Sequence, residues 1–94
     1  MIIFDWDDRK AAANLKKHRV SFEEAATVFS SSPVRVFTDK DNLQDDEERM
    51  IAIGYSHIHR LLIVVHCYLE NEEVIRIISA RKTTKAERKF FEEE

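Results

Sequence analysis

Apolar and polar positions change period several times along this chain, and each change marks an element. Ile2 to Phe4 reads as a short first strand. Over residues 8–18 the spacing becomes helical, with Ala11, Leu15 and His18 at i, i+4 and i+7 and Lys10, Asn14 and Lys17 beside that stripe. Asp7 stands where a cap accepts the first free amides, and Asp8 follows in the first turn. Ser21-Phe22-Glu23-Glu24 has the spacing of a capping box, so a second helix is expected to bury Phe22, Ala25, Ala26 and Phe29. Ser30-Ser31-Ser32-Pro33 ends it, because serines bond their own backbone and proline lacks an amide donor.

Beyond the proline the period falls to two. Val34 to Phe37 is a strand, and residues 38–47 form a polar loop. Arg49 to Tyr55 and Leu61 to Tyr68 are two further strands joined by Ser56-His57-Ile58-His59. Leu69 to Glu73 turns the chain into the last strand, Val74 to Arg81, and Thr84 with Glu87 repeats the capping-box pattern to open a final helix. The order is β-α-α-β-β-β-β-α. Short connections imply antiparallel pairing for the last four strands, and segregated helices make this an α+β fold, a mainly antiparallel sheet with helices packed on it. Period two places Ile75, Ile77, Ser79 and Arg81 on one face of the last strand, and Val74, Arg76, Ile78 and Ala80 on the other. Arg76 and Arg81 therefore share a face only if a bulge intervenes.

Ninety-four residues support a single domain spanning 1–94, and one Gly and one Pro leave little room for long loops. Cys67 has no partner for an intramolecular disulfide, which points to a reducing, cytoplasmic setting. The apolar run Leu61 to Val65 is far short of the ~20 residues a membrane helix needs. Net charge is −3, but it is segregated. Arg9, Lys10, Lys16, Lys17 and Arg19 form one basic segment; Arg76, Arg81, Lys82, Lys85, Arg88 and Lys89 form a second. Acids crowd residues 39–48 and the tail at Glu92 to Glu94. If the basic segments meet in space, they make a cationic face on an acidic body, suited to a phosphate backbone.

Candidate chemistry follows from the same segments. Arg81 beside Ser79, at the end of the last strand and close to a helix N-terminus, forms a candidate phosphate cradle. His66 and His18 are the candidate proton-transfer groups, since imidazole titrates near neutrality. Each has a plainer reading: His66 as a satisfied core residue, His18 as a dipole partner packed on Leu15. His57-x-His59 with His66 lacks a ligand to complete a zinc set, and Asp39-x-Asp41 lacks the glycine and terminal glutamate of a calcium loop. No Gly-rich phosphate loop or nucleophile elbow is present. The chemistry expected is thus free of metal and cofactor. RNA cleavage fits it, because the substrate supplies its own 2′-hydroxyl nucleophile.

The residues also resemble a known family. Phe4-Asp5-Trp6-Asp7, Lys10-Ala11, Asn14, Lys17-His18 and Val20-Ser21-Phe22-Glu23-Glu24-Ala25 are similar to the N-terminal signature of BrnT-type toxins. Glu48-Arg49, Ile53-Gly54, Arg60-Leu61-Leu62, Val64-Val65-His66 and Arg76-Ile77-Ile78-Ser79-Ala80-Arg81 continue it in order. The resemblance implies a compact RelE-like ribonuclease of a type II toxin–antitoxin pair that arrests translation. It also implies a DNA-binding antitoxin, BrnA, through which alone the chain would reach operator DNA. It raises His18, His66, Arg60, Arg76 and Arg81, which fall on matching positions. Arg76 and Arg81 are expected to hold phosphate, His66 or His18 to move the proton, and Lys17, Arg60, Lys82 and Lys85 to position the RNA backbone. Arg19, Asp8 and Phe91 stand where the family usually has Gly, Pro and Tyr. Two rivals stay open: a module that binds RNA or an acidic antitoxin segment without cutting, and a partner that only tunes an antitoxin's repression.

Overall fold

The computed structural model describes residues 2–39 and 49–93, so most of the acidic loop expected at 38–47 lies outside the described residues. The elements are β1 (Ile3–Asp5), α1 (Asp8–His18), α2 (Phe22–Thr27), a 3-10 turn (Val28–Ser30), β2 (Val34–Thr38), β3 (Met50–Tyr55), β4 (Leu61–Leu69), β5 (Val74–Lys82) and α3 (Lys85–Glu92). The five strands make one sheet in the order β1-β5-β4-β3-β2. The last four pair antiparallel, as their short connections require, whereas β1 runs parallel to β5 through Ile3↔Val74, Phe4↔Ile75 and Asp5↔Arg76. That parallel pair is the departure from the expected sheet. α1 and α2 carry the chain from the β1 edge to the β2 edge, so the first strand returns beside the last.

The sheet is covered on both faces. Val20, Phe22, Ala25 and Val28 from the helical segment pack against Ala52, Leu62, Val64, Ile75, Ile77 and Ala80. On the opposite face Phe91 of α3 seals Ile53, Leu61 and Ile63. Each buried side chain of that size contributes about 1.5–3 kcal/mol, so both layers hold the sheet. Gly54 lets the 3-10 turn approach β3: a Cβ there would lie 2.8 Å from Ser31 Oγ and 3.1 Å from Val28 Cγ1.

The α1 stripe is rotated from its expected setting. Leu15 is 48% exposed, while Asn14 is 7% exposed and faces the sheet. Beyond Asp5, β1 no longer pairs with β5, and the backbone of Ala80 lacks a strand partner there. Asn14 replaces that strand. Its amide donates to Ala80 O at 2.8 Å and to Val20 O at 2.9 Å, and its carbonyl accepts from Ala80 N at 3.1 Å. A leucine in its place would leave those buried backbone groups unsatisfied, which outweighs the apolar gain.

The caps follow the sequence with one exception. Asp7 accepts from Arg9 N and Lys10 N, and the Thr84–Glu87 capping box is closed. Ser21 accepts from Glu24 N, but the Glu24 carboxylate turns away from the cap toward Arg60. Arg19 ends α1 at φ 59°, in the left-handed region that favours glycine.

Candidate functional site

β5 is the axis of the site, and its register decides which side chains converge. Val65 pairs with Ser79 and His66 with Ile77, so β5 carries an extra residue at Ile78. The bulge reverses the alternation: Ala80 joins Ile75 and Ile77 in the core, and Arg81 pairs with Ile63 on the α3 face. Arg76 pairs with Cys67 and Asp5 on that same face. The two arginines therefore share a face, contrary to simple alternation.

Sharing a face does not make them a joint clamp. Arg76 is tied to Asp5 across the parallel pair. Arg81 forks onto Glu87, with both guanidinium N–H···O distances at 2.9 Å, and also donates to Lys82 O. Arg81 holds the Glu87 carboxyl down to about 2, against an ordinary value of 4.5. Because Glu87 also accepts from Thr84 N, this pair fastens α3 to the end of β5. An RNA phosphate at Arg81 would have to displace a bidentate carboxylate. Ser79 and Arg81, opposite Val65 and Ile63, share a face of β5, while the guanidinium is held by Glu87.

Arg60 is likewise committed. Its Nε donates to Glu24 Oε2 at 2.8 Å, and its Nη2 bonds both Glu24 Oε1 and Arg19 O. Ser56 Oγ donates to the same carboxylate at 2.7 Å. Arg60, seconded by the Ser56 hydroxyl, holds the Glu24 carboxyl below the usual carboxylate range despite burial. This knot joins the start of β4, the first turn of α2 and the end of α1. A buried acid two residues after Phe22 was not read as a partner for Arg60, because its position in a capping box offered a sufficient local explanation.

His66 sits in the core at 0% exposure between Phe29 and Tyr68, with ring centroids 4.7 and 5.2 Å away. Nδ1 lies 3.2 Å from Val64 O, which fixes the proton on Nδ1, while Nε2 has no hydrogen-bond partner. Burial pushes the imidazole below its ordinary value, so it is neutral near pH 7. No substrate reaches this ring through the closed core. The expectation of direct proton transfer by His66 is corrected for that reason.

His18 is placed differently. With Lys10, Ala13, Asn14, Lys17, Ile78 and Ser79 it lines a cleft of about 230 Å³ between α1 and the open edge of β5. Ser79 lines this cleft beside the bulged Ile78. Around the end of α1, Arg60 reaches Arg19 O and leads to a second cleft of about 260 Å³. His59, Arg60, Leu61, Lys82, Thr83 and Arg88 line it. The two basic segments thus meet in space, as a band running from Lys10, Lys17 and His18 past Arg19 and Arg60 to Lys82 and Arg88. Lys10, Lys17 and Lys82 are exposed and make no ion pair among the described residues. Lys85 opens α3 but lines neither cleft. Among the described residues no three His, Cys, Asp or Glu side chains converge as a metal site, and no helix is long and apolar enough to cross a membrane.

The chain is thus a small α+β protein whose two-sided sheet carries a cationic band at one edge. Residues 6–87 match the model of the ribonuclease toxin BrnT of type II toxin–antitoxin systems. The chain belongs to that family, and membership implies an antitoxin partner. The crystal structure of the Brucella abortus ribonuclease toxin BrnT superposes with a TM-score of 0.66 at 22% identity, over 90% of this chain and all of that one. At that identity the likeness speaks for the fold. No curated protein matches the chain.

Proposed function

We propose that the chain is an endoribonuclease that cuts single-stranded RNA without a metal ion, and that its activity arrests translation in the cytoplasm. The supporting observation is the convergence of the two basic segments at the α1–β5 edge, where Lys10, Lys17 and Lys82, without an ion pair among the described residues, stand along clefts that His18 and His59 line. Lys10, Lys17, Lys82 and Arg88 neutralise successive phosphates, and Arg60, fixed by Glu24, holds the bend between the clefts. His18 takes the proton from the 2′-hydroxyl as it attacks the adjacent phosphorus, and Ser79 donates to a non-bridging oxygen. The products are a 2′,3′-cyclic phosphate and a 5′-hydroxyl, with water protonating the leaving oxygen. One general base and no second acid predict slow turnover. Arg76 and Arg81 support the site by holding β1 and α3 to β5. The RelE-like assignment of the fold belongs to the same proposal, as does neutralisation by a BrnA-like antitoxin that links the chain to operator DNA.

A second reading is favoured by specific geometry. The three arginines expected to serve catalysis are each paired to a carboxylate, and His66 is enclosed. A chain in which only the lysine-rich band is active would bind RNA, or an acidic antitoxin segment, without cutting.

The deciding experiment incubates purified, antitoxin-free protein with a defined single-stranded RNA, with and without EDTA, beside His18→Ala and Lys17→Glu. Cleavage that resists EDTA and falls in both variants supports the enzyme. Intact RNA with retained binding moves the reading to the binding module, and cleavage abolished by EDTA overturns metal independence.

A further inference from the structure

A third cleft, larger than the two along the band, plays no part in the phosphate path. It encloses about 600 Å³ and is lined by Thr27, Ser30, Ser31, Ser32, Tyr55, Ser56, His57 and His59. That volume lies within the ~300–1,000 Å³ typical of small-molecule sites. Its lining differs in kind from the band beside it. Hydroxyls and imidazoles dominate it, and among the described residues neither lysine nor arginine lines it. A phosphate would prefer the neighbouring cleft, where Lys82 stands beside Arg60 and Arg88. His59 lines both clefts, so the two adjoin and a strand with phosphates in one passes beside the other.

The polar groups are also held in place before any ligand arrives. Thr27 Oγ1 donates to Glu24 O at 2.6 Å and accepts from His57 N at 3.0 Å. Ser31 Oγ donates to Val28 O at 2.7 Å, and Ser56 Oγ is fixed on the Glu24 carboxylate. The protons of these three hydroxyls are therefore committed, leaving oxygen lone pairs as acceptors. The exposed imidazoles of His57 and His59 add flat rings and ring nitrogens. Acceptors in fixed positions beside flat rings suit the edge and face of an unstacked base.

We propose that this cleft is a nucleobase site, receiving one splayed base of the single-stranded RNA whose backbone follows the cationic band. The inference rests on the RNA reading above and names what it lacks, a contact that distinguishes a base from bare backbone. His57 and the Ser30–Ser32 turn give the site its preference, while the band supplies affinity.

The test compares two strands of equal length by fluorescence anisotropy. One is a 2′-O-methyl oligoribonucleotide, which has no free nucleophile to be cut; the other is its fully abasic counterpart. The wild-type chain should bind the base-bearing strand about 10-fold more tightly, the order expected for one stacked base. His57→Ala, and separately Ser30→Phe, which fills the cleft, should bring that ratio close to one without changing affinity for the abasic strand. Both sites are exposed, so the fold should survive each change. A ratio retained in both variants, or equal binding of the two strands by the wild type, overturns the base site and leaves the RNA reading standing. Binding of neither strand at low salt overturns the RNA reading and the base site with it.

Discussion

Replacing Glu24 by Gln tests the knot that holds the two clefts together. The wild-type carboxylate is 5% exposed and accepts two bonds from Arg60 and one from Ser56. Each charge-assisted bond contributes about 1.5–3 kcal/mol, and breaking a fully buried ion pair costs about 3–5 kcal/mol. Two features reduce that figure here: the Arg60 side chain is 27% exposed, and glutamine keeps one carbonyl acceptor. A loss of about 2 kcal/mol at pH 7 follows, or about 8–16 °C in Tm for a domain of this size. Urea unfolding should show a lower midpoint with an unchanged m-value. The folded carboxyl titrates below its ordinary 4.5, so its contribution is complete above pH 4.5 and is lost as pH falls through the lower folded value. The gap between wild type and Glu24→Gln should therefore close in acid. In a cycle with Arg60→Met, the double variant should lose less than the sum of the singles. A loss under about 0.5 kcal/mol, or strict additivity, would refute the reasoning.

Asn14→Ala strips three buried hydrogen bonds, two to the open edge of β5 and one to Val20 O, and should destabilise the chain by about 2–4 kcal/mol, read by urea unfolding. Gly54→Ala drives a methyl to within 2.8 Å of Ser31 Oγ and should cost about 1–3 kcal/mol, with hydrogen exchange rising first in the Ser30–Ser32 turn. The Glu87 carboxyl, held at about 2, stabilises the fold above pH 4.5 and loses that contribution between pH 4.5 and 2. Glu87→Gln should flatten that acid limb in a series of urea midpoints. His66 titrates below its ordinary 6.5 because it is buried, so stability should decline as pH drops below 6.5 and the unfolded chain takes up the proton. His66→Phe should remove that step.

Element order was legible because the period changes were clean and the caps at Asp7, Ser21 and Thr84 stood in front of them. Face assignments were less so. The bulge at Ile78 leaves no mark in a run of β-branched residues, yet it moves Arg81 from the face of Ile77 to that of Arg76. Asn14 was passed over because a helical stripe is sought among apolar side chains, whereas here an unpaired strand edge demanded an amide. The basic segments were visible as charge runs. What the sequence withheld was pairing: Asp5, Glu24 and Glu87 lie far from or just beside their arginines in the chain, and only the folded sheet shows that they occupy them. Among the described residues Lys10, Lys17 and Lys82 have no such partners, and the proposed function moves to them the role first expected of the arginines.

The central claim is that RNA lies along the band of Lys10, Lys17 and Lys82, and the salt dependence of binding tests it most directly. Each phosphate neutralised on a single strand adds about −0.7 to the slope of log affinity against log salt concentration. Replacing all three lysines by Gln should make that slope shallower by about 2, with little change in the unfolding midpoint. An unchanged slope in a folded triple variant would place the RNA elsewhere and contradict the account.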